Sequence, residues 1–477
     1  MKWCELTGII WLGLLINSIL VSLDLFWGWI IIAIIFELLI ITRYMHKQIP
    51  LILSNQFGRY FIAGFVLMLP LGGLGTAGYL FANLPFPEQI VRLVNLHRVA
   101  VGIPAIILYL FLWFIWLKVT KNHNSFRLKR KLTLKLIVVI LGCISLLMLL
   151  LLTNFRISFI DDQILGSVIL LIGMLLAASI LSTLLYLHFG MYYSKLSSQP
   201  NLGGWGLIIA AFATVSFGLV GLNPQTQQEP IVIAHRGVDS NNGVQNSLQS
   251  LIKTGQENKY IEMDIQMSHD NQFVLMHDPN LKKLAGKNQT VETDEFADLK
   301  KIKLHENGYV ASVTTLDQYL NKANELNNQL IIELKPQAIA PQIVANKFNQ
   351  QYGLKTIKSG AIVHSVDSEI VSAVKKINPN IKVGLIRPFV LSELPTKGIS
   401  FYSLDYRTIN QTIVTKAHDQ DKKVYVWTVN SPTVARRMVS LGVDGIITDQ
   451  SSLIKRVLKE KTNLVVEQAK NIIWQLI

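Results

Sequence analysis

Cysteine is almost absent from this chain of 477 residues, which contains only Cys4 and Cys143. The two lie in or beside apolar stretches and are far apart in the sequence. This content excludes a disulfide framework and a metal site built from closely spaced cysteines. Because a domain without disulfides needs no oxidising compartment, the cysteine content leaves both sides of a membrane open.

Acidic side chains are also scarce, but only in the first half of the chain. Through Gln228 there are 15 Lys and Arg but 6 Asp and Glu, whereas from Glu229 onward the counts are 30 and 25. The first half is mostly apolar, and the second has the composition of a water-soluble domain. We predict four parts: a membrane domain over 1–222, a linker over 223–230, a folded domain over 231–460 and a C-terminal tail over 461–477.

Seven apolar segments in the first half approach the roughly 20 residues that a helix needs to cross a bilayer. They span residues 8–21, 26–41, 60–84, 99–117, 132–153, 164–189 and 205–222. So many long, acid-poor runs do not occur together in water-soluble folds. We therefore predict an N-terminal α-helical polytopic membrane domain of about seven helices.

The charges of the loops predict the orientation of these helices, because basic loops stay in the cytoplasm. The loop at 42–59 carries three basic residues and the region 118–135 carries seven, whereas the loop after the fifth segment contains Asp161 and Asp162. Seven crossings then place the chain beyond residue 222 outside. We predict a multi-pass protein of the cell membrane, in contact with the lipid bilayer, whose C-terminal domain is extracytoplasmic.

Short β-rich runs alternate with helical runs in the second half. The candidate strands are 231–234, 260–266, 273–277, 329–334, 361–366, 381–386, 400–404, 424–428 and 445–448, and the helical runs include 246–257, 341–351, 368–377 and 433–441. Such alternation is typical of a parallel barrel. The run 273–277 follows its predecessor too closely for a helical crossover, so we interpret it as an extension of the second strand. Eight strands remain, which predicts an α/β TIM-like (β/α)8 barrel.

Polar side chains stand at or near the carboxyl ends of these strands, the rim on which a TIM barrel carries its chemistry. They are His235, Arg236, Glu262, Asp264, His277, Glu333, Lys335 and Trp427. Glu262 and Asp264 are two residues apart on one strand, so their carboxylates share a face and would repel each other without a cation. Glu333, on the next barrel strand, supplies a third carboxylate. Three oxygen ligands without a Cys or His cluster predict a Mg²⁺ or Ca²⁺ site.

The remaining rim residues suit the transfer of a phosphoryl group. Because imidazole titrates near neutral pH, His235 and His277 are predicted to act as a paired acid and base. Arg236 and Lys335 are predicted to bind phosphate oxygens, Arg through its planar fork and Lys as a point charge. Trp427 is either packed in the core or a wall of the substrate pocket.

In this order, the rim residues and their neighbours resemble the glycerophosphodiester phosphodiesterase family. The matching pieces are Ala234-His235-Arg236-Gly237, Glu262-Met263-Asp264, His277-Asp278, Ile332-Glu333-Leu334-Lys335, Trp427-Thr428-Val429-Asn430 and Gly442-Val443-Asp444-Gly445-Ile446-Ile447-Thr448-Asp449. The resemblance covers about 231–455 and implies a TIM-like barrel, a divalent ion on Glu262, Asp264 and Glu333, and acid and base roles for the two histidines. A branch of this family fuses a multi-pass membrane domain before the barrel, and this chain looks like that branch.

One position departs from the pattern of the family. Members often carry Pro-Glu-Asn-Thr shortly after the His-Arg-Gly motif, where this chain has Val244-Gln245-Asn246-Ser247. Gln245 therefore removes a carboxylate close to the expected site, which bears on local charge, metal affinity and substrate choice. His364, at the end of the fourth strand, is either a further residue of the rim or a structural histidine, and we favour the structural interpretation.

Residues and resemblance together predict metal-dependent hydrolysis of glycerophosphodiesters to glycerol 3-phosphate and an alcohol at the membrane surface. The substrate is expected to be a glycerophosphodiester or a phospholipid-derived compound, and no nucleic acid is expected as a partner. A second interpretation is phospholipase-like activity, or cleavage of a glycerophosphate polymer of the teichoic-acid type, because the second half is basic. A third is a non-catalytic membrane sensor or transporter. The apolar segments lack the acidic cluster that is expected for ion coupling.

Overall fold

The computed structural model describes residues 11–12, 15–16, 88–96, 107, 168–169, 171–172, 208–216, 229–390, 394–460 and 463–476. Of these, 88–96, 229–390 and 394–460 belong to one compact unit, here the barrel unit, and the others belong to a second, here the N-terminal unit. The barrel unit thus includes one helix from the sequence of the predicted membrane domain. The predicted domain boundaries stay predictions.

Eight parallel strands close into a barrel in the barrel unit, as the sequence predicts. In chain order the strands are β1 (Ile231–Ala234), β2 (Tyr260–Met267), β3 (Phe273–Leu275), β4 (Lys303–Glu306), β5 (Tyr309–Ser312), β6 (Gln329–Leu334), β7 (Ile362–Ser365), β8 (Val383–Arg387), β9 (Phe401–Asp405), β10 (Lys423–Trp427) and β11 (Gly445–Thr448). The barrel runs β1-β11-β10-β9-β8-β7-β6-β2 and is closed by the pairing of β2 with β1. Its strands are rich in Val, Ile and Leu because both faces of a parallel sheet are buried.

Helices lie in six of the seven connections between successive barrel strands, and in the described residues none stands between β8 and β9. In chain order the helices are α1 (Glu88–Leu96), α2 (Leu248–Gly255), α3 (Lys282–Ala285), α4 (Phe296–Leu299), α5 (Leu316–Glu325), α6 (Pro341–Ser359), α7 (Ser368–Ile377), α8 (Gln411–His418), α9 (Pro432–Leu441), α10 (Ser451–Lys459) and α11 (Leu464–Leu476). Local sequence defines several ends. Thr315 and Gln318 form a capping box at the start of α5, and Gly442, with a φ of 80°, ends α9.

The prediction that 273–277 extends the second strand is wrong. Phe273–Leu275 forms a separate strand, β3, which pairs antiparallel with residues of β2. The chain reverses just before it, where the N–H of Asn271 donates to the carbonyl oxygen of Ser268 at 2.9 Å and Asn271 adopts a φ of 61°. Asn tolerates this left-handed conformation, so the polar residues between the strands form a turn. The count of eight parallel strands is unchanged.

A small lobe is inserted between β2 and β6. It contains β3, α3, α4 and the antiparallel pair of β4 and β5. Its apolar side chains bury one another, among them Val274, Leu281, Val291, Leu299 and Leu304. The lobe follows the carboxyl end of β2, so it lies where TIM barrels carry their chemistry.

Packed side chains fill the interior of the barrel. Ile233, Ile331, Phe401 and Ile447 are buried in one cluster from four strands. A side chain at Gly384 would place its Cβ 2.2 Å from the Phe401 ring, so glycine at this position makes room for that ring. Side chains two residues further along each strand point the same way, one layer nearer the carboxyl ends. The polar residues of the rim therefore lie directly above a layer of buried apolar side chains.

None of the helices in the described part of the chain is long and apolar enough to cross a bilayer. Most residues of the predicted membrane segments lie outside the described residues, so the membrane domain stays a prediction. Within the N-terminal unit, the first and last of these segments contact each other. The indole N–H of Trp11 donates to the hydroxyl oxygen of Thr214 at 3.0 Å, and both side chains are buried.

Candidate active site

A cavity of about 980 Å³ lies at the carboxyl ends of the barrel strands. Seven of the eight predicted site residues line it, namely His235, Arg236, Glu262, His277, Glu333, Lys335 and Trp427. The eighth, Asp264, is buried and contacts two of these lining residues. The fold therefore brings together, in one cavity, side chains that are up to almost 200 positions apart in the sequence.

Two carboxylates and an imidazole form a cluster that could hold a metal ion. Glu262, Glu333 and His364 each offer one ligand atom, and these atoms lie within 4.8 Å of one another. Glu262 and His364 are each 2% exposed, and neither nitrogen of His364 has a hydrogen-bond partner among the described residues. Buried polar groups are normally paired. Oxygen atoms and an unpaired imidazole at this spacing fit a divalent cation.

His364 enters this cluster through the register of the sheet. Glu333 of β6 pairs with His364 of β7, and Asp264 of β2 pairs with Glu333. Paired residues in parallel strands point to the same side, and His364 Nε2 lies 3.8 Å from Glu262 Oε1. From the sequence, a structural role was favoured for His364 over a place at the rim. Its position at the end of a barrel strand was the signal available in the sequence, and only the register of the paired strands shows that it lies beside Glu333.

Asp264 is surrounded by cationic and amide groups. Its Oδ2 accepts from Asn246 Nδ2 at 2.8 Å and lies 3.4 Å from Arg236 Nε, and its Oδ1 lies 3.5 Å from Lys335 Nζ. Burial would raise the pKa of Asp264, but Lys335 and Arg236 together hold that pKa well below its ordinary value. Asp264 is therefore ionised and orients the two cations. It also stays a predicted metal ligand.

The surroundings of Glu333 disfavour its ionised form. Burial raises the pKa of Glu333. Lys335, whose Nζ lies 2.8 Å from Glu333 Oε1, lowers this pKa but does not outweigh the effect of burial. The neighbouring carboxylates of Asp264 and Glu262 raise it further. A second positive charge in the cluster would stabilise the ionised form, which again suits a bound cation.

Each of the two predicted catalytic histidines is fixed by a carboxylate. His235 Nδ1 lies 2.6 Å from Asp449 Oδ1, and His277 Nδ1 lies 2.7 Å from Asp278 Oδ1. A carboxylate on Nδ1 favours the tautomer and ring position that leave Nε2 available. His235 Nε2 lies 3.9 Å from Glu262 Oε2, beside the cluster.

Asp449 was not predicted as a site residue, although it ends the last motif of the family resemblance. Burial would raise its pKa, but the hydrogen bond and charge of His235 outweigh burial and lower it. Its second oxygen accepts from Asn430 Nδ2 at 2.7 Å. Asp449 is thus a fixed anion that holds the ring of His235 in position.

The two imidazoles differ in their surroundings. Burial, followed by the nearby charge of Lys335, lowers the pKa of His277 below its ordinary value of 6.5, against the opposing effects of Asp264 and Asp278. His277 is consequently neutral near pH 7 and can accept a proton. His235 instead has a carboxylate that is itself anchored by an amide.

Arg236 takes its position from a tight turn after β1. It has a φ of 55°, and Gly237 follows with a φ of 68°. A Cβ at Gly237 would lie 2.3 Å from the Tyr319 hydroxyl, so the motif requires glycine there. The turn directs the Arg236 backbone N–H to Glu262 Oε2 at 3.0 Å, while Arg236 Nε is buried without a hydrogen-bond partner among the described residues. A phosphate oxygen could supply that partner.

Gln245 connects this arginine to a more distant carboxylate. Arg236 donates through Nη1 to Gln245 Oε1, and Gln245 Nε2 donates to Glu306 Oε1 at 2.6 Å. The backbone N–H of Gln245 also donates to Glu306, at 2.7 Å. Where the family pattern has an acidic side chain, this chain therefore has a neutral amide. That amide contacts Glu306, whose carboxylate lies one side chain further from the cluster.

Trp427 lines the cavity, and its indole N–H is buried without a hydrogen-bond partner in the described part of the chain. A fully packed core tryptophan normally finds a partner for this donor. The position therefore favours the pocket-wall interpretation over packing alone.

Comparison with known proteins decides the family. Residues 235–453, which include every site residue described above, match the model of the glycerophosphoryl diester phosphodiesterase family. These residues belong to that family. The barrel is accordingly a glycerophosphodiester phosphodiesterase domain, a phosphoric diester hydrolase.

Curated relatives match the same half of the chain. A glycerophosphodiester phosphodiesterase from Caldanaerobacter subterraneus subsp. tengcongensis is 26% identical over 241 residues, which cover 48% of this chain and 98% of the relative. A glycerophosphodiester phosphodiesterase from Bacillus subtilis is 24% identical over 256 residues, which cover 48% of this chain and 86% of the relative. These matches cover about half of the chain.

Solved structures also match about half of the chain. A glycerophosphodiester phosphodiesterase from Parabacteroides distasonis has a TM-score of 0.43 and 26% identity, and the match covers 49% of this chain and 98% of that one. A phosphodiesterase from Oleispira antarctica in complex with the product sn-glycerol-3-phosphate has a TM-score of 0.43 and 20% identity, covering 48% and 97%.

The surroundings of His277 predict its titration in the phosphodiesterase domain. We expect its imidazole to titrate below 6.5 in the folded chain, because burial and Lys335 disfavour the charged form. The unfolded chain binds this proton first as the pH falls, so His277 reduces stability below about pH 6.5 and not above it. Nitrogen-15 NMR of labelled histidine, assigned with His277→Gln, measures the midpoint.

A matched variant tests the cause of that shift. Asp278→Asn should lower the midpoint further, because the Asp278 carboxylate opposes the effect of burial. A midpoint at or above 6.5 in the unaltered chain would contradict the environment described for His277.

Proposed function

We propose that this chain hydrolyses glycerophosphodiesters to glycerol 3-phosphate and an alcohol, with a divalent cation at the rim of the barrel. One observation carries the proposal. Two histidines, each fixed by a carboxylate, share a cavity with a buried acidic cluster and with two cationic side chains in a phosphodiesterase domain. Those are the parts that cleavage of a phosphodiester requires: a base, an acid and positive charge for the phosphate.

The cation, Mg²⁺ or Ca²⁺ by its oxygen ligands, is held by Glu262 and Glu333. Geometry favours His364 as the third ligand, whereas the sequence predicts Asp264 in that role. A bound divalent cation neutralises charge on phosphoryl oxygens and makes a coordinated hydroxyl more acidic. The ionised Asp264, by contrast, is already engaged by Arg236 and Lys335.

Arg236 and Lys335 bind the non-bridging phosphate oxygens. Both line the cavity, and the common contact with Asp264 keeps their charged ends close together. Charge-assisted hydrogen bonds to oxygen atoms that gain negative charge in the transition state lower the barrier without any movement of the donors. Trp427 forms part of the wall against the substrate.

The two histidines divide the proton transfers. His277, which is neutral near pH 7, removes the proton of the attacking hydroxyl, either water or the glycerol hydroxyl next to the phosphate. His235, whose Nδ1 lies against the Asp449 carboxylate, donates a proton to the departing alkoxide. These roles require only that Nε2 of each ring faces the substrate.

Membrane attachment completes the proposal. The predicted helices of residues 1–222 anchor the enzyme as a multi-pass protein of the cell membrane, and the barrel acts on the extracytoplasmic side. Support comes from the long apolar segments and from the basic residues at 118–135. Anchoring would keep the enzyme near compounds that derive from membrane phospholipids.

Metal dependence can be tested with the full-length protein in detergent. Glu262→Gln should abolish turnover and cation binding, because it removes a charge from the centre of the cluster. His364→Gln and Asp264→Asn discriminate between the two third ligands: substitution of the true ligand should weaken Mg²⁺ or Ca²⁺ binding at least about tenfold in calorimetry. Glu325→Gln, at an exposed carboxylate, is the control. Full activity after exhaustive chelation would rule out a required cation.

The acid and base roles can be separated with two substrates. Each His→Ala substitution should reduce kcat on a natural diester about 10²–10⁴-fold. A nitrophenyl ester of glycerol phosphate needs no proton on departure, so it should restore turnover in His235→Ala and not in His277→Ala. Rescue of the opposite variant would exchange the two roles, and near-normal kcat in both variants would show that the histidines are structural.

The orientation in the membrane can be tested by labelling intact cells. After replacement of Cys4 and Cys143 by serine, a cysteine at the exposed position Lys287 should react with an impermeant maleimide. A cysteine at Ser125, within the basic region, should react only after the cells are opened. The reverse labelling pattern would place the barrel in the cytoplasm.

A further inference from the structure

A helix from far upstream in the chain packs against the rim of the catalytic barrel. Helix α1 (Glu88–Leu96) belongs to the same compact unit as the barrel. Arg92 forms a two-pronged ion pair with Asp367, from Nε to Oδ1 at 2.9 Å and from Nη2 to Oδ2 at 2.9 Å, and it also pairs with Glu369. Asp367 is 4% exposed, so this is a partly buried and geometrically specific contact.

A second contact fixes the other end of the helix. The side-chain oxygen of Asn95 accepts from the backbone N–H of Phe389 at 3.0 Å, and its amide donates to the Val91 carbonyl at 2.8 Å. Phe389 follows β8, and Asp367 follows β7 at the start of α7. Helix α1 therefore lies over the carboxyl ends of β7 and β8, where the described residues contain no helix that belongs to β8.

The contact is also part of the substrate cavity. Arg92, Asn95 and Leu96 line the same cavity as His235 and Glu262. The opposite face of α1 is open, since Ile90 is 49% and Leu93 is 56% exposed. The helix thus stands between the cavity and its surroundings, at the outer edge of the site, whereas the acidic cluster is buried at the bottom.

We infer that α1 forms an outer wall of the substrate cavity and that Arg92 is a positioning residue which holds this wall against Asp367 and Glu369. The inference rests on the proposed function. Glycerol phosphate is common to all substrates of that reaction, so the group that reaches the outer wall is the variable alcohol. The wall therefore determines how well the enzyme binds diesters with a bulky alcohol, and it affects the chemical step little.

The same contact constrains the path of the chain through the membrane. Because α1 and the barrel are in contact, an even number of crossings must separate Leu96 from Glu229. The predicted segments between them are 99–117, 132–153, 164–189 and 205–222, which is an even number. The wall and the catalytic residues consequently share one side of the membrane, whatever the number of crossings before α1.

The functional test uses the full-length enzyme and a pair of substrates. Arg92→Met removes the ion pair and keeps an unbranched apolar side chain at this position. This substitution should raise KM for glycerophosphoinositol about tenfold or more. The KM for glycerophosphoethanolamine, and kcat for both substrates, should stay within about twofold of the values of the unaltered enzyme. Arg92→Lys should recover part of the loss. Arg436→Met, which removes an arginine from an ion pair with Glu460 outside the cavity, is the matched control and should change neither KM.

A cross-linking test of the contact needs no activity. In the chain without native cysteines, Arg92→Cys with Glu369→Cys should be joined by a short bis-maleimide, which would hold the two halves together after protease cleavage of the linker at 223–230. Arg92→Cys with Glu460→Cys should not be joined. Absence of the first cross-link, or equal changes in KM for both diesters, would overturn the inference. If the chain hydrolyses neither diester, the proposed function is wrong. The cross-link would then still test whether α1 packs against the barrel.

Discussion

The structure of the catalytic unit depends on accommodating several carboxylates close together in a largely buried place. Glu262 and Asp264 are buried on β2, and Glu333 is partly buried on the neighbouring strand β6, so their mutual repulsion must be offset. Arg236 and Lys335 offset the charge of Asp264, and a bound cation would offset that of Glu262 and Glu333. The same positive charges that stabilise this cluster are the ones that a phosphodiester requires.

This constraint explains the network around the cluster. Asn246 donates to Asp264, and the side chain of Gln245 links Arg236 to Glu306, so Arg236 is held without another carboxylate next to the cation. A neutral amide at this position lowers the negative charge of the site by one unit compared with the common family pattern. The chain retains an acid in the network but places it further from the reacting groups.

Helix α1 connects the catalytic chemistry with the predicted membrane domain. Its sequence lies between two predicted membrane segments, yet its polar side chains contact loops after β7 and β8 and line the cavity. The barrel follows the predicted membrane domain in the sequence, yet helix α1 from that preceding sequence forms part of the barrel's cavity wall. The membrane half of the chain then contributes to the site itself, in addition to any anchoring.

The sequence by itself determined the barrel and most of the site, because both depend on local patterns. Alternating strands and helices predict a barrel, and the polar residues that end the strands must meet at one rim; β1, β6, β11 and α7 have the predicted bounds. Only the tertiary structure decided which groups touch. His364 joins the acidic cluster through register, Asp449 fixes His235 from 214 positions away, and Arg92 reaches Asp367 from 275 positions away. Contacts of this kind depend on how the chain closes in space, and no periodicity or spacing along the sequence records them.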